Sequence, residues 1–239
     1  MTIPLLLKLA RWDRLTDDEQ DVLEGIRSAT QTLRPGDEIV REGDRPGFST
    51  LMLQGWSARV KFFSSGRRAI SALHMAGDFV DLHSFLLRPM DHSVIALTTC
   101  KIAVVPHDRL KMVTERHPHL TRLLWLDTLV DAAVHREWIA GLARRSAVAR
   151  MGHLFCELLL RCDAVGGAEA LGYHLPLTQG MLADTLGLST VHVNRSLQEL
   201  RQDRLVSFER NKLKILNWDR LAELADFDPA YLNLSGEPR

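Results

Sequence analysis

The chain has 239 residues, 46% of them hydrophobic and 25% charged, which fits a globular protein of one large domain or two small ones with apolar area for a core. Thirty Lys and Arg balance thirty Asp and Glu, so net charge announces no polyanionic partner and any nucleic-acid-facing surface must be local. The three cysteines, Cys100, Cys156 and Cys162, form no C-x-x-C pair; an odd count argues against a disulfide framework and fits a reducing cytoplasm.

The opening run, Met1 to Arg14, is too short in apolar residues and lacks a small-residue cleavage site, so a signal peptide is not expected. No stretch of about 18 apolar residues suggests a membrane span. The first thirty residues read as helical: Thr16 and Glu19 stand in capping-box spacing, and Val22, Leu23 and Ile26 follow at helical intervals.

From about Thr32 to Pro106 the texture changes to short apolar runs between turn residues. The runs are Ile39-Val40, Leu51 to Leu53, Val60 to Phe63, Ile70 to Leu73, Val94 to Leu97 and Ile102 to Val105, with Pro35-Gly36-Asp37 and Glu42-Gly43-Asp44 as turns. Strands of this length with turns about every ten residues predict an all-β sandwich or roll.

After Pro106 the helical period returns. Leu123, Leu126, Val130 and Ala133 step by three and four in a Gly- and Pro-free stretch, and a helix from Leu120 to Ala143 would run roughly 36 Å. Two readings stay open: a helix laid across the β-roll, or a coiled-coil-like dimer seam that Glu137 interrupts. Residues 141–146 form a candidate hinge, with Ser146 as N-cap of a helix to Cys162 that carries Met151, Leu154, Phe155, Leu158 and Leu159 on one side and stops before Gly166-Gly167.

The segment 175–216 carries the most chemistry. Thr178 can cap a short helix to Leu186, Gly187 breaks it, and Ser189 can cap a second helix to Gln202. Two short helices about a Gly-centred turn make a helix-turn-helix. Ala183 is small where the helices must approach. Leu182, Leu186, Leu188, Val193, Leu197 and Leu200 form the shared core, leaving Thr190, Asn194, Gln198 and Arg201 on a polar face. A recognition helix offers such a face to base edges while its capped start meets phosphate. Arg195 suits a bidentate contact with guanine, Asn194 or Gln198 a contact with adenine, and Thr190 and Val191 a thymine methyl. Thr178, Gln179 and Ser189 complete the expected DNA-facing set on the helices. Two short strands about Arg210-Asn211 predict a hairpin wing, its Arg210, Lys212 and Lys214 set for the phosphate backbone. Beyond it, Trp218 to Ala225 reads as a short helix and the residues after Pro229 as a loose tail.

Taken in order, Arg34-Pro35-Gly36-Asp37-Glu38-Ile39-Val40-Arg41-Glu42-Gly43-Asp44, Leu51-Met52-Leu53-Gln54-Gly55, Gly77-Asp78-Phe79 and Leu177-Thr178-Gln179 through Arg195 make the chain resemble the Crp/Fnr superfamily of transcription regulators over nearly its whole length. The resemblance implies an α+β fold: a double-stranded, jelly-roll-like β-roll sensor domain at 1–116, a long dimerisation helix and hinge at 117–145, and a winged helix-turn-helix at 146–239. It further implies a cytoplasmic homodimer joined through the 117–143 helix, bound to palindromic double-stranded DNA with half-sites about one helical turn apart, with RNA polymerase as a further partner and no enzymatic activity.

The departures bear on the effector. Cyclic-AMP-binding members carry a Gly-Glu pair after the Gly-Asp-Phe motif and an Arg-Ser pair before the next strand; here those places hold Asp81-Leu82 and His92-Ser93. Without the arginine a buried phosphate has no fixed partner. The absence of cysteine before Cys100 leaves no ligand set for an N-terminal iron–sulfur cluster. His74, His83 and His92 make a haem ligand conceivable, but a surface or hydrogen-bonded role is the commoner one for such residues. No cofactor or metal is expected and the effector is unknown; control by oxidation of Cys100, Cys156 or Cys162 stays open. Two other classes are a cyclic-nucleotide module whose C-terminal domain reads protein, and a cupin-type metalloenzyme. The polar face at 190–198 and the basic wing disfavour the first. Histidines nine apart with no His-x-His disfavour the second. There is no Ser-His-Asp set, P-loop or dinucleotide fingerprint.

Overall fold

The structure, a computed structural model, describes residues 3–234. Two short helices lead, α1 (Pro4–Leu9) and α2 (Asp17–Gly25). The capping box opens α2: the Glu19 amide donates to Thr16 Oγ1 at 3.3 Å and the Thr16 amide to the Glu19 carboxylate at 2.9 Å. Helix does not fill the first thirty residues, because β1 (Ala29–Leu33) begins within them. Four of its five residues are exposed, so it shows little apolar alternation.

Six further strands build the roll: β2 (Glu38–Val40), β3 (Phe48–Gln54), β4 (Ser57–Phe62), β5 (Arg68–His74), β6 (Ser93–Ala96) and β7 (Cys100–Pro106). They pair antiparallel in two sheets, β1-β7-β3 and β2-β6-β4-β5. Val40, Met52, Val94, Ala96, Cys100 and Ile102, drawn from both sheets, share one interior. Each sheet is covered on its other side too, and this explains why the strands read as continuous apolar runs rather than alternating ones.

The first cover is helical. After α3 (His107–Arg116) a break at His117 and Pro118 starts α4 (Pro118–Arg144), 27 residues and about 40 Å long. Leu120, Leu123 and Leu124, with Leu126 and Val130 half-buried, pack with α1, α2 and the outer residues Leu51, Ala103 and Val105 of the first sheet. The stripe containing Leu123, Leu126 and Val130 therefore lies across its own domain. A different face of α4 is open, carrying Trp125, Leu129, Ile139 and Leu142 at 49–66% exposure.

The second cover is the C-terminal domain. Helix α4 continues through the predicted hinge to Arg144, so the break narrows to two extended residues, Arg145 (φ −80°, ψ 144°) and Ser146 (φ −62°, ψ 165°). Ser146 then caps α5 (Ala147–Ala164), accepting from the Ala149 amide at 3.2 Å. Met151, Leu154, Phe155, Leu158 and Leu159 are buried in one cluster with Ala58, Val60, Ile70 and Ile95 of the second sheet.

Then come β8 (Ala168–Glu169), β9 (Gly172–His174), α6 (Gln179–Leu186), α7 (Thr190–Gln202), β10 (Val206–Glu209), β11 (Lys212–Ile215) and α8 (Trp218–Ala225), the last five as the sequence predicts. The four strands form one sheet in the order β10-β11-β9-β8. The tail is not loose up to Leu234: a 3-10 turn at Pro229–Leu232 buries Leu232, and the Tyr231 hydroxyl donates to Glu157 at 2.8 Å. The rest of the predicted tail, 235–239, lies outside the described residues. Among the described residues no helix is long and apolar enough to cross a membrane.

Candidate DNA-binding interface

Three local features set the reading head. Thr178 accepts from the Met181 amide at 3.2 Å and begins α6; Ser189 accepts from the His192 amide at 3.3 Å and begins α7. Between them Gly187 takes a left-handed conformation (φ 62°), where a side chain is strained. The guanidinium of Arg150 on α5 donates to the Leu186 carbonyl at 2.7 Å, answering an end-of-helix acceptor.

The back of α7 is held by Val193, Ser196, Leu197 and Leu200, all buried. Its front is open. Ser189, Thr190, Val191, Arg195, Gln198 and Arg201 are exposed, Val191 at 73%, and Asn194 is half-buried. Thr178 and Gln179 are exposed at the start of α6. The wing turns at Arg210-Asn211, both in the left-handed region (φ 50° and 61°), and leaves Arg210, Lys212 and Lys214 exposed. Every residue expected to face DNA is thus on one of three adjoining parts: the α6 start, the α7 front and the wing. Two exposed residues escaped the sequence reading. His192 lies in the first turn of α7, its Nδ1 2.9 Å from Ser189 Oγ, and only its place three residues after the cap could have signalled it. His174 pairs in register with Lys212 through a strand too short to read.

The interior of the roll is polar on one side. Arg59 of β4 pairs with Asp131 at 3.2 Å and lies 2.9 Å from His135 Nε2, both on α4. Burial, then the charge of Arg59, pushes His74 down to about 3 and His92 down to about 4, so both are neutral. Asp81 is fully buried; it accepts from the Thr50 amide at 2.5 Å, yet desolvation still lifts it to about 7. Ser93 Oγ accepts from the Glu42 amide at 3.0 Å. These engagements leave Asp81 and Ser93 committed to the protein itself. The three thiols are buried, and burial raises all of them, Cys156 and Cys162 to about 12. A redox-sensing cysteine needs the opposite, an accessible thiolate.

A capped recognition helix, a basic wing and a β-roll define a winged helix-turn-helix DNA-binding protein with an N-terminal sensor-type domain. Comparison with known proteins agrees. Residues 30–117 match the cyclic nucleotide-binding domain and residues 149–224 the Crp-like helix-turn-helix domain. A probable transcriptional activator of Rhizobium leguminosarum is 29% identical over 182 residues, 76% of this chain and 75% of that protein. The transcriptional activator protein anr of Pseudomonas aeruginosa is 25% identical over 93% of this chain and 89% of its own length. Among solved structures, FixK2 from Bradyrhizobium japonicum superposes with a TM-score of 0.70 at 24% identity, over 82% of this chain and 96% of that one. CprK complexed with OCPA superposes at 0.60 and 16% identity, over 94% and 98%. The chain belongs to the Crp/Fnr family of transcription regulators.

Proposed function

We propose that two copies join along the open face of α4, place their α7 helices in successive major grooves of a palindromic promoter site, and activate transcription through contact with RNA polymerase in the cytoplasm. The observation that carries this is the front of α7: a capped helix whose exposed leading residues, Val191 apart, are polar while its back is locked in the core. Arg195 reads guanine, Asn194 and Gln198 read adenine, and Thr190 and Val191 meet a thymine methyl. The amides at the starts of α6 and α7, with Arg210 and Lys212, hold phosphates. The names of the relatives, transcriptional activators, favour activation over repression. The commitments of Asp81 and Ser93, and His92 in place of an arginine, favour an effector other than a cyclic nucleotide.

Selection of binding sites from a random duplex pool tests the reading. The expected product is an inverted repeat with half-sites about one helical turn apart. Enrichment of no sequence, or of a single asymmetric site bound by one chain, would overturn it.

A further inference from the structure

In sequence, His83 and His92 are nine apart and match no metal pattern; in space the chain folds that interval back on itself. His83 lies in a 3-10 turn at Leu82–Phe85, and Asp91 and His92 immediately precede β6. The two imidazole rings have centroids 5.1 Å apart, and Asp91 Oδ1 lies 2.7 Å from His92 Nδ1. One ligand atom from each of His83, Asp91 and His92 falls within 4.8 Å of the other two.

Two features separate this trio from an ordinary hydrogen-bonded cluster. Nε2 of His83 and Nε2 of His92 are both buried without a hydrogen-bond partner. An unanswered buried polar atom costs about 1–3 kcal/mol, so two in contacting rings call for something that answers both. The Asp91 side chain, by contrast, is 85% exposed and can swing toward the rings from the solvent side. The nearby cation, Arg59, is already compensated by Asp131.

We propose that His83, Asp91 and His92 form a binding site for one divalent first-row transition-metal ion, with water in the remaining positions. Imidazole and carboxylate donors suit zinc or iron(II), not magnesium or calcium, which take oxygen ligands. Tetrahedral bonds of 2.0–2.1 Å place ligand atoms about 3.3 Å apart. The trio closes to that spacing by movement of exposed Asp91 and half-buried His83 about a fixed His92. The site sits beside the Arg59 contacts to α4, where an added dication changes the balance of charge against Asp131 and His135.

The test is titration of chelator-stripped full-length protein with cobalt(II), read by its visible d–d absorption, and with zinc(II), read by calorimetry, both without DNA. The expected result is one equivalent per chain, weakened at least about tenfold by His83→Ala or His92→Ala, less by Asp91→Asn, and unchanged by His174→Ala. His83→Gln and His92→Gln, with folding checked by circular dichroism, replace an alanine variant that fails to fold. Absence of saturable binding, equal binding by the histidine variants, or a thiolate charge-transfer band assigning cobalt to cysteine would each overturn the proposal.

Discussion

Arg195 is exposed on α7, while Ser196 and Leu197 beside it are buried. Its removal therefore tests contact rather than folding. Arg195→Ala is expected to cost about 1–3 kcal/mol on the cognate site and to relax preference at one base pair, measured by competition among single-base variants of the selected site. Lys212→Ala is expected to weaken all sequences alike and to lower the salt slope of binding by about one, because a phosphate contact releases a counterion and reads no base. Identical profiles for the two variants would remove the distinction.

Buried charges make a second expectation. Burial alone would raise Asp78, but Lys8 at 2.7 Å and Arg161 at 3.0 Å hold it well below the usual carboxylate range. Asp78→Asn removes one carboxylate from each of two buried cations, Lys8 keeping Asp127 and Arg161 keeping Glu157, and should cost about 1.5–3 kcal/mol in urea unfolding. His153 shows the pH side. Burial, then the charge of Arg145, pushes it down to about 4, against 6.5 when unfolded. A depressed folded pKa gives stability that is full above 6.5 and lost as pH falls toward 4, because the unfolded chain takes the proton first. His153→Phe should lose less stability than the wild type between pH 7 and 4; parallel curves would reject this account. Of these residues Arg195 and Lys212 were legible in the sequence, because a capped amphipathic helix declares its exposed face and the hairpin signal at Arg210-Asn211 declares a basic edge. Lys8, Asp78 and Arg161 come from three distant segments, and nothing local marks their meeting.

Among the elements, those with a strong local signal were readable: the box at Thr16 and Glu19, the runs of β3 to β7, the caps at Ser146, Thr178 and Ser189, the wing, and α8. Those without one were not. Strand β1 is mostly exposed, and the β8–β9 turn uses Ala170 and Leu171 in the left-handed region (φ 47° and 61°) where Gly or Asn would be looked for. Helix α4 is apolar on two faces, and periodicity alone cannot say which meets the roll. The open face makes its own prediction. Ile139→Glu, at a position 66% exposed in one chain, should leave the protomer folded but weaken dimerisation by about 2 kcal/mol or more, some thirtyfold in dissociation constant, by sedimentation equilibrium. Binding to the full palindrome should fall more than binding to a half-site. A dimer of unchanged strength would move the seam elsewhere.

At the scale of the whole molecule the C-terminal domain is docked on the second sheet. Arg68 of β5 reaches Asp184 of α6 through two hydrogen bonds at 3.0 and 2.7 Å, and Arg161 of α5 donates to the Leu73 carbonyl at 2.7 Å. The Arg68 pair is only partly buried, so Arg68→Ala should change global stability by no more than about 1 kcal/mol. It should nonetheless quicken tryptic cleavage at the α4–α5 junction, where Arg144 is exposed and Arg145 half-buried, because a looser docking lets that backbone open. Cleavage at the wild-type rate would mean the apolar contacts hold the domain without it. The turn between α6 and α7 has a second neighbour. A Cβ at Gly187 would lie 3.0 Å from Leu142 Cδ2, and Leu142 belongs to the open face of α4. A partner helix that grips that leucine thus meshes, like one gear tooth against the next, with the joint that aims the reading helix. In the dimer proposed above, a push on that leucine would reach the DNA-binding helices directly, without first passing through the extended pair Arg145-Ser146.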